Sequence, residues 1–588
     1  MFKKILYGIS IIFFIVFSFL IIRNANLSSF IDSVENRTFD LRQNLLVKSG
    51  AKSPNKDIVI VAIDDATYEY ILDNFGEWPL PRDMYAKMIN WLELQSPRAI
   101  AFDLMFVKSL KSKNNADEAL IKSFKKYKNT FTSMNLDNQT EDLRTPPNLP
   151  DKLKLKINNK SNIDFERLTF TNCRTILQGI LDVTSNIGFI NVSRSEDGIL
   201  RTMPLVVKYK GNYYPQLAMR VGLDYLGEPN STYEIDRQGN FKIADRKIYL
   251  DKDGSAILNW YGGAGTYQYL PMYQLIKAVN GERTNLKYDF SNKIIYFGTT
   301  ASSLFDIKTV PTSKVYPGVE VQATYVNNLI DNNFIRKVNK GYTITLSILL
   351  ALLIISVVTR INSAFTASMM SFSVYFLYLL IAYYAMKYEN LWLEVVYPLI
   401  FSIFAFTGAY ITKYLVKSRD FEYQYKLATT DGLTELYNHR YFQEQLRMQI
   451  EHAKRYDTNF SLIIADIDFF KKFNDNFGHQ SGDAVLRQVA QTFKRNVRAT
   501  DIVCRYGGEE MSIILPNTGK EEAFFTAKKI CERVAERKFK LFGGKETGVT
   551  ISLGVATFPH DGNTASEMIE AADKKLYEAK NNGRNQVK

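Results

Sequence analysis

Two segments in the C-terminal third of the chain carry carboxylates with the spacing of a metal site. In FSLIIADIDFF, a run of strand-forming residues ends in Asp466 and Asp468, whose side chains share one face because side chains alternate along a strand. In RYGGEEMSII, two adjacent glycines precede Glu509 and Glu510. Carboxylates suit a divalent cation that also contacts phosphate oxygens. The two segments predict magnesium-assisted phosphoryl chemistry.

A strand and a hairpin have to position these carboxylates. Residues 460–465 form a short apolar run that predicts a buried strand. Gly507 and Gly508 lie between DIVCRY and EEMSIILP, and they can take the positive φ values that a two-residue hairpin loop requires. Strand pairing would then bring Glu509, exposed at the tip, close to Asp466. The alternative interpretation of the same stretch is an ordinary hairpin turn.

Residues 426–588 resemble a GGDEF domain, the catalytic module of diguanylate cyclases. Five segments in family order carry this resemblance: DGLTELYNHRYF, DIDFFKKFNDNFGHQSGD, RATDIVCRYGGEE, VTISLGVATFP and ADKKLYEAKNNGRNQV. The resemblance implies an α+β, palm-like domain with a ferredoxin-like core. It also implies that two GTP molecules condense to cyclic di-GMP with release of two pyrophosphates. Each domain binds one GTP, so a homodimer is expected.

The resemblance implies a role for each matching residue. Mg²⁺, or Mn²⁺ in its place, would be held by Asp466, the main-chain carbonyl of Ile467, and Glu509. Glu509 is also the candidate general base for the 3′-hydroxyl, although a carboxylate that binds a metal is a weak base. The catalytic set is Glu509, Glu510 and Lys471. The substrate-binding set is Phe469 and Phe470 through their main-chain N–H groups, Lys471, Lys580 and Arg584 at phosphates, and Asn474 and Asp483 at the guanine edge.

The tetrapeptide RATD resembles the R-x-x-D inhibitory site of the family, where the product cyclic di-GMP binds. Arg498 would lie against a guanine Hoogsteen edge, and Asp501 would accept its N–H protons. Three residues depart from the family pattern. Met511 replaces phenylalanine and is expected to pack beneath the site, Glu435 replaces a glycine that would allow a positive φ, and His439 replaces an arginine.

Alternative interpretations remain for the residues and for the function. Lys580 and Arg584, four residues apart, also fit a solvated helix face, and Asn474 also fits a turn cap. The alternative function is a catalytically inactive GGDEF receptor that binds cyclic di-GMP or GTP and signals by contact. Such receptors usually lose the signature carboxylates, which this sequence keeps. A cyclase for another nucleotide is disfavoured by Asn474 and Asp483.

Four charge-free stretches predict membrane spans: residues 5–22, 341–359, 363–385 and about 395–411. A cleaved signal peptide is the alternative for the first. Lysines precede the first span and basic residues follow the last, so both chain ends are expected in the cytoplasm. The sequence thus predicts a multi-pass protein of the cytoplasmic (inner) membrane. Residues 24–340 would lie outside the cytoplasm and the catalytic domain inside.

The external part has the pattern of an α/β domain. DIVIVAID and RAIAFDLMF predict buried parallel strands on either side of a helix. Several segments, among them DIVIVAIDDATYEYI, GEWPLPRDMYAKMI and VYPGVEVQATYVNNLI, resemble the second subtype of the CHASE extracytoplasmic sensor, which implies signal input. Asp64, Asp65 and Asp103 follow strands and could line a site at the sheet edge. Capping or turn roles are the alternative for these three aspartates.

At 588 residues the chain exceeds the size of one domain. We expect five parts: a cytoplasmic tip with the first membrane helix (1–23), the sensor (24–340), membrane helices two to four (341–412), a helical linker (413–427) and the GGDEF domain (428–588). The net charge of +13 comes from scattered lysines without an aromatic-interleaved stripe, so no nucleic-acid partner is expected. Only Cys173 lies in the external part, which excludes an intramolecular disulfide there.

Overall fold

The computed structural model describes Gly8, Val16, Ser195 and Leu304 and the segments 23–107, 114–138, 146–192, 197–286, 288–301 and 306–588. The chain divides into two compact units, Met1–Ile411 and Thr412–Lys588. The predicted first membrane span, residues 5–22, lies outside the described residues except for Gly8 and Val16.

In its described part, the first unit combines helices and strands. Its helices are α1 (Ala25–Lys48), α2 (Asp65–Phe75), α3 (Arg82–Glu93), α4 (Asn114–Lys126), α5 (Gln178–Val183), α6 (Leu217–Tyr225), α7 (Met272–Val279), α8 (Gly318–Asp331), α9 (Lys340–Arg360), α10 (Ala364–Tyr388) and α11 (Val396–Thr429), the last of which ends in the second unit. Its strands are β1 (Ile58–Ile63), β2 (Ala99–Phe102), β3 (Thr130–Asp137), β4 (Lys156–Asn159), β5 (Thr169–Phe170), β6 (Asn172–Arg174), β7 (Ile187–Phe189), β8 (Thr202–Pro204), β9 (Val206–Tyr209), β10 (Asn212–Pro215), β11 (Thr232–Ile235), β12 (Asn240–Ile243), β13 (Arg246–Tyr249), β14 (Ser255–Ile257), β15 (Gln268–Pro271), β16 (Ile294–Thr299), β17 (Ile307–Val310), β18 (Ser313–Pro317), β19 (Arg336–Lys337) and β20 (Leu391–Trp392).

The central sheet of this unit has the order β15-β1-β16-β2-β3-β6, and β7 also pairs with β3. All of its pairings are parallel except that of β6. Every residue of β1 and β2 is buried, as expected for apolar runs in a parallel sheet with both faces covered. The two predicted strands therefore lie parallel in one sheet, but β16, from much later in the chain, separates them.

Among the described residues, three helices, α9, α10 and α11, are long and apolar enough to cross a membrane. They match the predicted spans 341–359, 363–385 and 395–411. The predicted linker, residues 413–427, is not a separate helix, because α11 continues through it to Thr429.

The carboxylate of Glu35, on α1, is fully buried against the start of α11. One oxygen accepts hydrogen bonds from the Val395 and Val396 N–H groups at 2.8 and 2.9 Å. The other accepts from Trp392 Nε1 at 2.8 Å and from Arg42 Nη2 at 2.7 Å. Unpaired N–H groups at a helix start favour a carboxylate there. Glu35 thus caps α11 from a helix that lies far away in sequence.

The second unit contains a four-stranded sheet flanked by helices. Its helices are α12 (His439–Tyr456), α13 (Phe470–Phe477), α14 (His479–Asn496), α15 (Lys520–Glu536) and α16 (Ala565–Asn581), and its strands are β21 (Phe460–Ile467), β22 (Ile502–Arg505), β23 (Glu510–Pro516), β24 (Phe539–Lys540), β25 (Glu546–Thr547) and β26 (Ile551–Phe558). The sheet order is β22-β23-β21-β26, and all pairings are antiparallel. All eight residues of β21 are buried, because hydrophobic clusters cover both faces of the sheet.

Candidate active site of the C-terminal unit

Asp466 lies near the end of the central strand β21, opposite Glu510 of β23 and Ser552 of β26. Its Oδ2 is 2.9 Å from the Nζ of Lys580 on α16. Burial raises the pKa of the Asp466 carboxyl; the Lys580 ammonium opposes this, and the carboxylates of Glu509 and Asp468 add to the increase. The structure therefore brings Asp466, Glu509, Glu510 and Lys580 together in a cluster in which negative charge predominates.

Residues 506–509 connect β22 to β23. Neither Gly507 nor Gly508 has a positive φ, so the predicted two-residue hairpin loop with left-handed glycines is wrong. The physical reason is the length of the connection: Tyr506 N donates to the Glu510 carbonyl at 2.8 Å, and this wider loop does not need a mirror-image turn. The Gly508 carbonyl oxygen accepts two hydrogen bonds from the Arg505 guanidinium, at 2.7 and 3.1 Å.

Gly507 has a different role, which is to make room for the Glu510 side chain. A Cβ atom at Gly507 would lie 2.7 Å from Glu510 Oε2, the flexible end of that side chain, so a larger residue at position 507 would displace the carboxylate. Burial raises the pKa of the Glu510 carboxyl, and the carboxylates of Asp466 and Asp573 add to the increase. The first signature glycine therefore lets a second carboxylate fold back beside Asp466.

Asp573 on α16 belongs to this cluster and was missed from the sequence. Burial raises the pKa of its carboxyl, whereas Lys580 lowers it. Asp573 and Lys580 are seven positions apart, which places them on one face of α16. That helical spacing, in the block that contains Lys580, is the signal that could have identified Asp573.

Asp468 is as buried as Asp466 but has different partners. Its Oδ1 accepts from the Ser552 hydroxyl at 2.7 Å, and its Oδ2 accepts from the Thr550 hydroxyl at 2.7 Å and the Asn585 N–H at 3.0 Å. These three donors occupy the carboxylate and attach the C-terminal segment to the sheet. Asp468 therefore has a structural role, and the predicted metal set of Asp466, the Ile467 carbonyl and Glu509 does not include it.

The segment after β21 places several predicted phosphate-binding groups near one another. Phe469 has a φ of 55° and precedes α13, whose first residue, Phe470, is buried. The guanidinium of Arg584 lies over the exposed ring of Phe469, 4.2 Å from its centroid. Lys471, in the first turn of α13, is exposed. The N–H groups at the start of α13 have no acceptor within the helix, which favours an anion at this position.

Asn474 and Asp483 come together across the junction of α13 and α14. Asn474 Oδ1 is buried and has no hydrogen-bond partner among the described residues. A Cβ atom on Gly482 would overlap this oxygen, so the glycine preserves the space around it. Asp483, the residue after Gly482, is exposed. An orphaned buried acceptor next to an exposed carboxylate suits a hydrogen-bonding ligand.

Arg498 and Asp501 line a cavity of about 530 Å³. Asp501 Oδ2 accepts from the Arg498 N–H at 2.7 Å, and Asp501 Oδ1 has no partner within the described residues. Burial raises the pKa of the Asp501 carboxyl, and Arg498 opposes it. Lys494 and Glu435 also line the cavity, and Glu435 has a φ of 57°. The expectation that position 435, where the family has glycine, adopts a positive φ is therefore confirmed.

The other two departures from the family pattern are compatible with the site. Met511 is 1% exposed and packs in the core with Ile467 and Phe470, so the prediction that it lies beneath the site is confirmed. His439 Nδ1 lies 3.1 Å from the Tyr506 carbonyl oxygen, and the two rings are in contact.

Comparison with known proteins identifies two matched regions. A family model described as diguanylate cyclase, GGDEF domain, matches residues 428–586. A second model, the CHASE2 domain, matches residues 12–359, more than half of the chain.

The curated relatives match only part of the chain. The response regulator PleD of Caulobacter vibrioides is 42% identical over 177 residues, which are 30% of this chain and 38% of PleD. The diguanylate cyclase DosC of Escherichia coli is 42% identical over 158 residues, 27% of this chain and 34% of DosC. The match thus spans less than two fifths of either relative.

One similar solved structure is the GGDEF domain of DgcB from Caulobacter crescentus in complex with c-di-GMP. It is 37% identical with a TM-score of 0.26, and the match covers 27% of this chain and 94% of the DgcB chain. The resemblances found in the sequence to a GGDEF domain and to the second CHASE subtype are both confirmed. The chain therefore belongs to the CHASE2 family and carries a C-terminal GGDEF domain.

Proposed function

We propose that this chain is a membrane-bound, signal-responsive diguanylate cyclase. In this reaction two GTP molecules condense to cyclic di-GMP and two pyrophosphates, each 3′-hydroxyl attacking the α-phosphorus of the other nucleotide. The observation that carries the proposal is the cluster at the end of β21, where Asp466 is paired with Lys580 beside Glu509 and Glu510. Carboxylates for a cation and an ammonium for phosphates are the groups that this chemistry needs.

The donor set fits a divalent cation. Burial raises the carboxyl pKa values of Asp466 and Glu510, the neighbouring carboxylates add to the increase, and an added cation would relieve this repulsion. Asp466, the Ile467 carbonyl and Glu509 would hold Mg²⁺, with Mn²⁺ as the alternative ion. The bound ion would supply charge stabilisation at the triphosphate. Oxygen ligands of this kind are those that magnesium prefers.

The remaining residues bind and orient the nucleotide. Lys471, Lys580 and Arg584 would neutralise phosphate charge, together with the N–H groups of Phe469 and Phe470 at the start of α13. Lys580 now pairs with Asp466 and would turn to a phosphate when GTP binds.

Asn474 and Asp483 would accept hydrogen bonds from the guanine edge. The orphaned Asn474 Oδ1 supports this assignment. The antiparallel order β22-β23-β21-β26 supports a ferredoxin-like core for the domain.

Two such domains have to face each other for the reaction, so a homodimer is part of the proposal. Dimer geometry set through the membrane helices would let the external sensor control turnover, with the catalytic domain in the cytoplasm. The cavity lined by Arg498 and Asp501 supports binding of cyclic di-GMP as a feedback inhibitor.

The experiment uses the full chain in lipid nanodiscs with Mg²⁺ and GTP. We expect cyclic di-GMP to accumulate, and Glu509→Gln to abolish turnover while circular dichroism stays unchanged. The matched control is Glu521→Gln, an exposed carboxylate on α15, which should retain full activity. Nucleotide binding without product in the unmodified chain would favour the inactive receptor instead. Full turnover by Glu509→Gln would refute the site assignment.

A further inference from the structure

A cavity of about 360 Å³ lies at the carboxyl-terminal edge of the parallel sheet in the first unit. Asp103 directly follows β2, Asn135 lies near the end of β3, and Ile190 directly follows β7. Asp306 and Lys308, at the start of β17, form another part of the wall. The carboxyl ends of neighbouring parallel strands are where α/β domains bind their ligands. The position therefore suits a binding site.

The ionisable groups of the cavity wall are two carboxyl groups and one ammonium, so one carboxyl group has no cation of its own. Lys308 Nζ pairs with Asp306 Oδ1 at 2.7 Å, so this pair is neutral as a whole. The Asp103 carboxylate receives no hydrogen bond from the part of the chain that the structure describes; it interacts only electrostatically with Asp306 and Lys308. A cationic group would complete the site.

Two buried hydroxyls lie on the same sheet face as Asp103, although neither belongs to the wall of the cavity. Tyr296 lies opposite Ala101 in the sheet, and Ala101 lies opposite Phe131. Because side chains alternate, Tyr296, Asp103 and Ser133 share one sheet face. The hydroxyls of Tyr296 and Ser133 are fully buried and have no hydrogen-bond partner among the described residues. Buried polar groups without partners are rare in folded proteins.

The apolar part of the wall and the volume indicate what kind of cation fits. Met105, Val192 and Val321 also line the cavity. Its volume falls in the range of small-molecule sites, about 300–1,000 Å³. A bare metal ion would leave most of this space unfilled, and Lys308 would repel a divalent charge. We propose that the cavity binds a small organic molecule with a primary ammonium group, held by Asp103, and a carbon skeleton packed on these apolar side chains.

The proposal has a proton-linkage consequence. Burial, together with the Asp306 carboxylate, raises the pKa of Asp103 to about 8, and Lys308 opposes this increase. Tyr296 also faces Asp103, and its own pKa is raised by burial. An ammonium ion favours the ionised carboxylate, so binding displaces a proton from Asp103. Affinity should therefore increase as the pH rises toward 8, while the ligand amine, with an ordinary pKa of about 10, stays charged.

The test measures ligand binding to the full chain in nanodiscs by calorimetry and is independent of the proposed cyclase activity. The probes are ethanolamine and n-butylamine, each with a single ammonium group, and ethylene glycol, acetate and calcium chloride are the comparison solutes. We expect saturable binding of an ammonium probe that tightens with pH. Asp103→Asn should weaken binding at least about tenfold and remove the pH dependence. The exposed Asp73→Asn on α2 should change neither property.

A second variant keeps the test decisive if Asp103→Asn does not fold. Val192→Phe fills the cavity without removing a charge, and it should abolish binding of the ammonium probes. The proposal is overturned if no ammonium probe binds, if acetate or calcium binds instead, or if a folded Asp103→Asn chain keeps its affinity and pH dependence.

Discussion

Replacing Asn474 by alanine removes the buried acceptor that we assign to the guanine base. Asn474 Oδ1 has no partner among the described residues, and Gly482 preserves the space beside it. If Oδ1 accepts from the 2-amino group of guanine, the change should affect GTP and spare inosine triphosphate, which lacks that amino group. The variant and the two nucleotides form a thermodynamic cycle that isolates this one contact.

The expected magnitude follows from the burial of the acceptor. Leaving a buried acceptor unpaired costs about 1–3 kcal/mol, so unmodified protein should prefer GTP over inosine triphosphate by about 5- to 150-fold through this contact. Asn474→Ala should reduce kcat/KM for GTP by that factor and leave the value for inosine triphosphate almost unchanged. Any preference that remains in the variant would come from Asp483.

The assay measures initial rates of cyclic dinucleotide formation by the full chain in nanodiscs with each nucleotide. The exposed Asn476→Ala, on the same helix, is the matched control and should change neither rate. An equal loss with both nucleotides would show that Asn474 acts on folding or on the chemical step. Unchanged discrimination would refute the assignment of Oδ1 to the 2-amino group.

Three further predictions concern charges placed by the structure. Glu435→Gln removes an anion from the wall of the 530 Å³ cavity and should lower the product concentration for half-inhibition by up to about fivefold; an unchanged inhibition curve would contradict this. Glu35→Ala leaves the Arg42 charge buried and should cost about 3–5 kcal/mol in thermal unfolding. Glu35→Leu with Arg42→Met removes that charge but still leaves the N–H groups of Val395, Val396 and Trp392 unpaired, so it should cost less than Glu35→Ala; a larger loss would contradict the charge pairing. The pKa of Asp466 is raised, and magnesium needs the ionised carboxylate. The Mg²⁺ concentration for half-maximal rate should therefore increase as the pH falls from neutrality toward the ordinary carboxyl range. A half-maximal Mg²⁺ concentration that does not change with pH would contradict this.

Much of the fold could be predicted because its elements have strong local patterns. The apolar run that became β1 is buried over its whole length, and the three apolar stretches after residue 340 are helices of membrane-spanning length. Pairing was harder to predict. The insertion of β16 between β1 and β2 depends on contacts between segments far apart in sequence, and no local pattern encodes it.

The roles of the aspartates that follow strands in the first unit also could not be predicted from local sequence. Asp64 caps α2 by accepting from the Thr67 N–H at 2.8 Å, so the capping alternative is confirmed for it. Asp103 lines the cavity at the sheet edge. Both follow a buried strand in the sequence, and only the packing around each carboxylate distinguishes a cap from a cavity wall.

By itself, the sequence determined the family membership, the segment types and the identity of the carboxylates, since these depend on residue types at short spacing. The tertiary structure decided how those residues are used. Asp466 pairs with Lys580 beside Glu509, whereas Asp468, two positions away and equally buried, accepts hydrogen bonds from β26 and the C-terminal segment. Gly507 matters for the space it leaves to Glu510 and not for its φ value. Such differences arise from contacts between distant segments, which a local pattern cannot specify.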